Sequence, residues 1–178
     1  RRNDNMNLYT LYPYSAHEEF SLEIKGNNIE IIEDYFKFDL NKNFLEKPRI
    51  NLTFENSFSY KIESILSHDD FYYSSSGVLL FSERFYLASA EYLKNEGTFY
   101  PCLVNNNSSE IYAFYIKNRK DIFNLLQEEV ENVNFNIFRD IEKTYIYAVS
   151  EQFVRFIKDK KLNIKFLKFT ENYIKSIF

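Results

Sequence analysis

A short apolar strand that runs into Ser-Glu and then into an amphipathic helix occurs twice in this chain, 68 residues apart. The first copy is Val78-Leu79-Leu80-Phe81-Ser82-Glu83-Arg84-Phe85, and the second is Ile146-Tyr147-Ala148-Val149-Ser150-Glu151-Gln152-Phe153. A second apolar strand follows each helix, Thr98 to Val104 in one copy and Ile164 to Phe169 in the other. The pattern therefore predicts a strand, a helix and another strand at two places in the fold.

The two serines are predicted to begin the helices. A serine at the N-cap accepts a hydrogen bond from an unpaired amide of the first turn, and an acidic residue beside it favours the positive end of the helix dipole. Glu83 and Glu151 occupy that position. Residues at helical spacing predict the buried stripes, which are Phe85, Ala88, Ser89 and Tyr92 in the first helix and Phe153, Phe156 and Ile157 in the second.

Gly97 and Asn163 come just before the second strand of each copy. Glycine and asparagine are the residues that most readily adopt the left-handed conformation that ends a helix. We therefore expect both residues to act as left-handed helix stops.

The 178 residues suffice for one sizeable core or two closely packed lobes, and 45% of them are hydrophobic. Residues 6–77 alternate mostly like strands, with a turn at Gly26 that predicts a strand pair continuing through Ile29 to Phe38. Residues 78–178 contain both copies of the unit. The predicted class is α+β, with a mainly antiparallel or mixed sheet, a β-rich region at residues 6–77 and a boundary near residue 77. Residues 1–5 read as a tag or an upstream extension before Met6.

The middle of the chain predicts a hairpin and a helix between the two copies. Residues 98–104 and 111–116 flank a polar turn, and Lys120 to Val130 has apolar residues at helical spacing. Phe135 to Phe138 is expected to pair with Tyr145 to Val149.

The charge and cysteine content restrict the classes of function. The formal net charge is −4, and the lysines look dispersed along the sequence, which argues against a nucleic-acid-binding surface. Cys102 is the only cysteine, so no internal disulfide forms, and no apolar segment is long enough to predict a membrane span. These features predict a cytoplasmic protein.

Catalytic and metal-binding patterns are weak. His68-Asp69-Asp70 has no second ligand pair at a suitable spacing, and His17-Glu18-Glu19 lacks the second histidine of a helical zinc motif. Both segments are interpreted as solvated, and Cys102 is interpreted as a buried thiol. With three glycines the chain offers no phosphate-binding loop. We therefore predict no enzyme, metal or cofactor.

Residues 78–83 and 145–151, together with the opening at Met6, resemble bacterial immunity proteins of polymorphic-toxin systems, specifically the family called immunity protein eleven. The resemblance covers about residues 78–169. One departure is Asn163, where the family usually has glycine. The resemblance implies a non-enzymatic protein that binds a cognate toxin domain in the cytoplasm and blocks it.

The surface that would bind such a toxin is predicted from charge and aromatic content. An acidic patch could dock on the basic cleft of a nuclease-type toxin, where charge complementarity speeds association and aromatic side chains supply affinity. The candidate residues are Glu128, Glu129 and Glu131, together with Asp69, Asp70, Tyr72 and Tyr73. The alternative function is a small-ligand-binding protein or enzyme whose site is assembled from scattered residues. The sequence leaves the oligomeric state open.

Overall fold

The structure is a computed structural model that describes residues 7–15, 20–38, 50–55, 62–104, 107–127 and 134–177. The strands are β1 (Leu8–Pro13), β2 (Ser21–Lys25), β3 (Ile50–Glu55), β4 (Phe71–Tyr72), β5 (Leu79–Ser82), β6 (Gly97–Val104), β7 (Asn107–Ile116), β8 (Arg119–Lys120), β9 (Ile137–Asp140), β10 (Tyr147–Ser150) and β11 (Ile164–Lys168). The helices are α1 (Ile29–Phe38), α2 (Ile62–His68), α3 (Glu83–Ser89), α4 (Ile122–Gln127), α5 (Glu151–Asp159) and α6 (Glu171–Ile177).

The strands form two mixed sheets, which confirms the predicted α+β class. Sheet I has the order β11-β1-β10-β9-β8, and sheet II has the order β2-β3-β6-β7-β5-β4. Most neighbouring strands are antiparallel, and the parallel pairs are β3 with β6 and β8 with β9. The outer strands of sheet II also meet, because the backbone N–H of Leu22 in β2 donates to the carbonyl O of Tyr73 just after β4 (2.9 Å). Sheet II therefore curls back on itself.

The segment predicted as a continuing strand at Ile29 to Phe38 is a helix, so that prediction is wrong. Ile32, Tyr35 and Phe36 are its buried residues, and their spacing of three and four places them on one helical face. Gly26 does make the expected turn, at φ 120°, a conformation that glycine tolerates. Tertiary burial of this apolar stripe outweighs the β-like composition of the segment.

The hairpin and strand predictions for the second half are confirmed. Strands β6 and β7 are antiparallel, and so are β9 and β10. The predicted helix over Lys120 to Val130 is present as α4, and residues 128–133 lie outside the described part of the chain.

Both predicted N-caps are confirmed. Ser82 and Ser150 have nearly identical extended backbones, with φ, ψ of −72°, 164° and −78°, 162°. Their hydroxyl oxygens accept hydrogen bonds from the backbone N–H of Phe85 (3.1 Å) and Phe153 (3.2 Å). The junction from strand to helix is therefore built in the same way twice. Of the predicted stripes, Phe85, Ser89, Phe153 and Ile157 are buried, Ala88 and Phe156 are partly buried, and Tyr92 is 38% exposed.

The predicted helix stops are wrong in both copies. Lys161, with φ 57°, is the residue after α5 that takes a left-handed conformation, whereas Asn163 has no positive φ. Gly97 has no positive φ either and lies in β6. A Cβ at Gly97 would collide with the carbonyl O of Tyr115 and the ring of Phe114, so glycine is needed there for close strand packing.

The duplicated unit extends further than the sequence indicated. In the first copy, β7 lies between β5 and β6 and is antiparallel to both. In the second copy, β1 lies between β10 and β11 and is antiparallel to both. The strand before each helix and the strand after it are thus parallel but separated by one strand. The N-terminal strand β1 completes the second copy from the opposite end of the chain.

The strand registers of the two copies correspond residue by residue. In the first copy Tyr112 pairs with Phe81 and with Pro101. In the second copy Tyr9 pairs with the equivalent residues, Val149 and Lys168. The sequences agree as well, since Leu8-Tyr9-Thr10-Leu11-Tyr12 corresponds to Ile111-Tyr112-Ala113-Phe114-Tyr115. The fold therefore contains the same arrangement twice.

Three apolar clusters form the core of the described part of the chain. One lies inside the curled sheet II against α1 and α2. A second joins both sheets to α3 and α5, and within it Phe85 and Phe153, the equivalent first-turn residues of the two helices, meet edge to face with ring centroids 6.3 Å apart. The third lies on the opposite face of sheet I, with α4 and α6.

The predicted boundary near residue 77 does not coincide with a division between the sheets. Sheet I combines β1 with strands from the end of the chain, and sheet II combines β2, β3 and β4 with β5, β6 and β7. The segment just before this boundary contains β4, whose two residues are buried and pair with β5. Both sheets therefore draw on residues 6–77 and on residues 78–178.

Loss of the two caps should have unequal effects. Among the described residues the Ser150 hydroxyl makes only the cap contact, so Ser150→Ala should lower the free energy of unfolding by about 1 kcal/mol. The Ser82 hydroxyl also donates to the buried carboxylate of Asp70 (2.6 Å), so Ser82→Ala should cost about 2 to 3 kcal/mol. Urea unfolding measures both, with exposed Ser67→Ala as the control. Equal losses for the two caps would contradict the assigned role of Ser82.

Candidate functional site

Asp69 and Asp70 are buried, each with 1% of its surface exposed. The expectation that they form part of a solvated acidic loop is therefore wrong. Charged groups are buried at an acceptable free energy only where hydrogen bonds and opposite charges replace the lost water. The contacts of each carboxylate explain why it lies inside the protein.

Asp70 joins three segments of the chain. Its carboxylate accepts hydrogen bonds from the hydroxyl of Ser82 (2.6 Å), from the guanidinium of Arg84 (Nε 3.0 Å and Nη2 2.7 Å) and from the backbone N–H of Asn163 (2.6 Å). The backbone N–H of Asp70 donates to the carbonyl O of Asn163 (3.1 Å). Asp70 thus binds the start of α3 in the first copy and the entry to β11 in the second.

Asp69 has a separate structural role. Its carboxylate accepts from the backbone N–H (3.1 Å) and the hydroxyl (2.7 Å) of Ser15, and it lies 3.1 Å from Nδ1 of His68. The side chain of His68 is 52% exposed. Within the described ranges no three histidine, cysteine or acidic side chains are grouped closely enough to hold a metal ion. The predicted absence of a metal stays a prediction.

The second copy has an equivalent junction built with different groups. The backbone N–H of Ser82 donates to the carbonyl O of Asp70 (3.2 Å), and that of Ser150 donates to the carbonyl O of Asn136 (3.0 Å). Gln152, which corresponds to Arg84, donates to the side-chain oxygen of Asn136 (3.0 Å). Asn136 therefore takes the place of Asp70.

Each copy binds the other through a residue that follows its own helix. Asn163 follows α5 of the second copy and binds Asp70 of the first. In the same way Glu96 follows α3 of the first copy, and its buried carboxylate accepts from the backbone N–H of Asn136 (2.6 Å) and from its side-chain amide. Asp69 and Asp70 are therefore structural residues, and their buried carboxylates are not free to contact a partner.

The remaining predicted contact residues differ in position. Tyr72 is buried, its hydroxyl donates to the carbonyl O of Leu66 (2.8 Å), and burial raises its pKa above the ordinary value. Tyr73 is 49% exposed, and its side chain is accessible to a partner. Glu128, Glu129 and Glu131 lie outside the described residues, as does the His17-Glu18-Glu19 segment. Tyr73 is thus the predicted contact residue that the structure places on the surface.

A basic surface that the sequence interpretation missed lies along β11. Residues 158–168 contain five lysines and one aspartate in a chain of net charge −4. We call this surface the lysine-flanked edge and define it by Lys158, Lys160, Lys161, Lys165 and Lys168, all of which are exposed. In the part of the chain that the structure describes, these lysines form no ion pair with a carboxylate. The interpretation of the lysines as dispersed is wrong for this edge.

Exposed apolar groups lie beside these lysines. Tyr12 pairs with Lys165, and Thr10 pairs with Leu167, so that Tyr12 (37% exposed) and Leu167 (46%) neighbour each other on one face of sheet I. The ring of Tyr14 lies 5.5 Å from Nζ of Lys165 and 5.3 Å from the ring of His68. On the opposite face Lys158 approaches the ring of Phe166. Basic and aromatic groups thus surround the outer strand of sheet I.

Comparison of the chain with models of known protein families, with curated proteins and with solved structures finds no match. None of the helices within the described ranges combines the length and apolar character required to cross a membrane.

Replacement of Asp70 should destabilise the protein more than replacement of a surface carboxylate. Asp70→Asn removes the charge that Ser82, Arg84 and the backbone of Asn163 all bind, so the free energy of unfolding should fall by about 3 kcal/mol. The matched control is Asp159→Asn at the exposed end of α5, for which the change should stay within about 0.5 kcal/mol. Similar values for the two variants in urea unfolding would refute the role of Asp70 as the junction.

Cys102 should be inert in the folded protein. It is 2% exposed, and burial raises the pKa of its thiol to about 12, so little thiolate exists at pH 8. A colorimetric thiol reagent at that pH should modify Cys102 at least about 100-fold more slowly in buffer than in denaturant. Rapid modification without denaturant would show that the thiol is accessible.

Proposed function

We propose that this chain is an immunity protein that binds a bacterial toxin domain and neutralises it by protein–protein contact. The resemblance of the two strand, Ser-Glu, helix copies to immunity proteins supports the class of function. The lysine-flanked edge is the observation that carries the proposal, because it combines an open strand, exposed aromatic side chains and unpaired positive charge at one place.

The open strand supports binding of an extended partner segment. Strand β11 is the outermost strand of sheet I, paired with β1 on one side and with no described strand on the other. An exposed edge of this kind offers backbone N–H and C=O groups to a strand from another chain. Tyr12 and Leu167 lie beside it and would supply apolar contact area.

The charge of this edge favours a hetero-partner over a second copy of the same chain. Two β11 strands placed side by side would bring Lys165 and Lys168 of each copy together, and like charges at a strand pair are destabilising. Lysine is a common guard against self-pairing of exposed edges. An acidic segment of a toxin domain meets complementary charge at this edge, which also speeds association.

The acidic surface predicted from the sequence stays a second contact candidate. Glu128, Glu129 and Glu131 follow α4, and together with exposed Tyr73 they would suit a basic nuclease-type toxin. The two surfaces imply toxins of opposite charge. Charge reversal at each of them can therefore distinguish the two contacts.

The experiment is co-expression of this chain with a candidate toxin domain taken from the neighbouring reading frame, with cell growth and co-purification as the readouts. We expect the wild-type chain to rescue growth and to form a stable complex. The double variant Lys165→Glu/Lys168→Glu should weaken binding at least about 100-fold, because each reversal replaces an attraction with a repulsion. Lys117→Glu, an exposed reversal elsewhere, serves as the control and should retain binding.

The outcomes separate the class of function from the surface. A folded wild-type chain that neither rescues growth nor binds the neighbouring toxin would overturn the immunity proposal. Rescue that survives Lys165→Glu/Lys168→Glu but fails with Glu128→Lys/Glu129→Lys/Glu131→Lys would move the contact to the acidic surface. Salt-dependent binding is expected for either surface, since the contact is electrostatic.

A further inference from the structure

Arg139 is the largest fully buried side chain of the molecule as described, with no surface exposed to solvent. It lies in β9, where its guanidinium donates to the carbonyl oxygens of Thr144 (Nη1, 2.8 Å) and Gly77 (Nη2, 3.2 Å). Its Nε is also buried and has no hydrogen-bond partner. The two carbonyl contacts therefore leave one nitrogen of the buried guanidinium, Nε, without an acceptor in the described structure.

Arg119 is its neighbour on the next strand. Strand β8 runs parallel to β9, and Arg119 is the register partner of Arg139, which brings the two side chains to one side of sheet I. Nη1 of Arg119 donates to the carbonyl O of Lys37 near the end of α1 (2.5 Å). Its Nη2 is buried and, like Nε of Arg139, lacks a partner. Two guanidinium groups thus adjoin each other, each with one unused buried nitrogen.

The described structure gives this pair no counter-charge. The nearest acidic residue in sequence is Asp140, and its carboxylate accepts hydrogen bonds from the backbone N–H groups of Ile122 (2.9 Å), Glu142 (3.1 Å) and Lys143 (2.8 Å) and none from either guanidinium. Burial, followed by the positive charge of Arg119, lowers the pKa of Arg139 to about 10, so Arg139 still carries its charge at neutral pH. An uncompensated buried charge is strongly destabilising.

We propose that Arg119 and Arg139 form a site for a phosphate group, bound by the unused N–H groups of the two guanidiniums. An oxyanion at this position neutralises the like-charge contact and satisfies both orphan nitrogens in one step. The planar guanidinium groups can donate to several oxygens of one phosphate at the same time, whereas a halide ion is a single atom and offers no such match. The site lies on β8 and β9, at the end of sheet I opposite β11 and the lysine-flanked edge. Its existence does not depend on the proposed toxin.

The surroundings favour a compact ligand. Tyr147 on β10 is the register partner of Arg139, and the ring of Tyr115 stacks on that of Tyr35 with centroids 4.5 Å apart. Arg139 is closed to solvent, whereas Arg119 is partly exposed, so the approach runs past Arg119. Inorganic phosphate and a phosphomonoester share the binding chemistry and differ in the room that the ester group needs.

The test uses the full chain after exchange into phosphate-free buffer. Thermal unfolding and calorimetric titration are carried out with inorganic phosphate and with methyl phosphate, against sodium chloride at equal ionic strength. We expect phosphate to raise the unfolding temperature beyond the effect of chloride and to bind with one site per chain. Binding of methyl phosphate with comparable affinity would assign the site to phosphomonoesters, and rejection of it would assign the site to free phosphate.

Two variants locate the site. Arg119→Gln removes one charge and should raise the dissociation constant for phosphate at least about tenfold, because a charge-assisted hydrogen bond is lost. The control Lys117→Gln makes the same charge change at an exposed residue close in sequence and should leave the constant unchanged. Should Arg119→Gln fail to fold, Arg119→Lys replaces it and is judged by the same criterion.

Two results would overturn the proposal. One is a phosphate response no larger than that of chloride in the wild-type chain. The other is an equal loss of affinity in Arg119→Gln and Lys117→Gln, which would mean that phosphate responds to general surface charge.

Discussion

The structure depends on a carboxylate that is placed where the two copies of its repeated unit meet. Asp70 is taken out of water and must be bound from several sides, and its donors come from both copies: Ser82 and Arg84 from one, and the backbone of Asn163 from the other. Glu96 and Asn136 make the reverse connection. Because removing one partner of a buried charge costs several kcal/mol, the copies cannot separate without a large loss of stability. The contact of Asp70 with Asn163 and that of Glu96 with Asn136 therefore join the two copies into one folded unit.

Local features of the sequence predicted the local structure well. Ser82 and Ser150 begin their helices because a cap is decided by a residue and the amides three positions later, and nothing distant competes with it. The stop residues and β1 depend on distant partners. Gly97 is required by the carbonyl of Tyr115, and β1 joins strands from the far end of the chain. The signal for β1 was present as Leu-Tyr-x-Leu-Tyr matching Ile111-Tyr112-x-Phe114-Tyr115, but it precedes its own copy in the chain and a sequential comparison of repeats passes over it.

The candidate site was harder to predict for a related reason. Aspartate is usually exposed, so Asp69 and Asp70 were interpreted as surface residues, and only the positions of Ser15, Arg84 and Asn163 in space make burial favourable. The lysines of residues 158–168 were visible in the sequence, yet they were divided between the end of a helix and the following strand. The turn at Lys161 brings both groups to one edge. Spatial clustering of charge is a property of the turn as much as of the composition.

The contact between Asp70 and Asn163 also affects how β11 can bind a partner strand. The beginning of this strand is fixed by the contact between the Asn163 backbone and Asp70, and its body is paired with β1 through all five residues. A strand that is already extended and held on one side loses little conformational entropy when a partner adds to the other side. The same contact that stabilises the junction thus preorganises the lysine-flanked edge. Weakening the junction should reduce binding at this edge by loosening β11, even though Asp70 is buried and touches no partner.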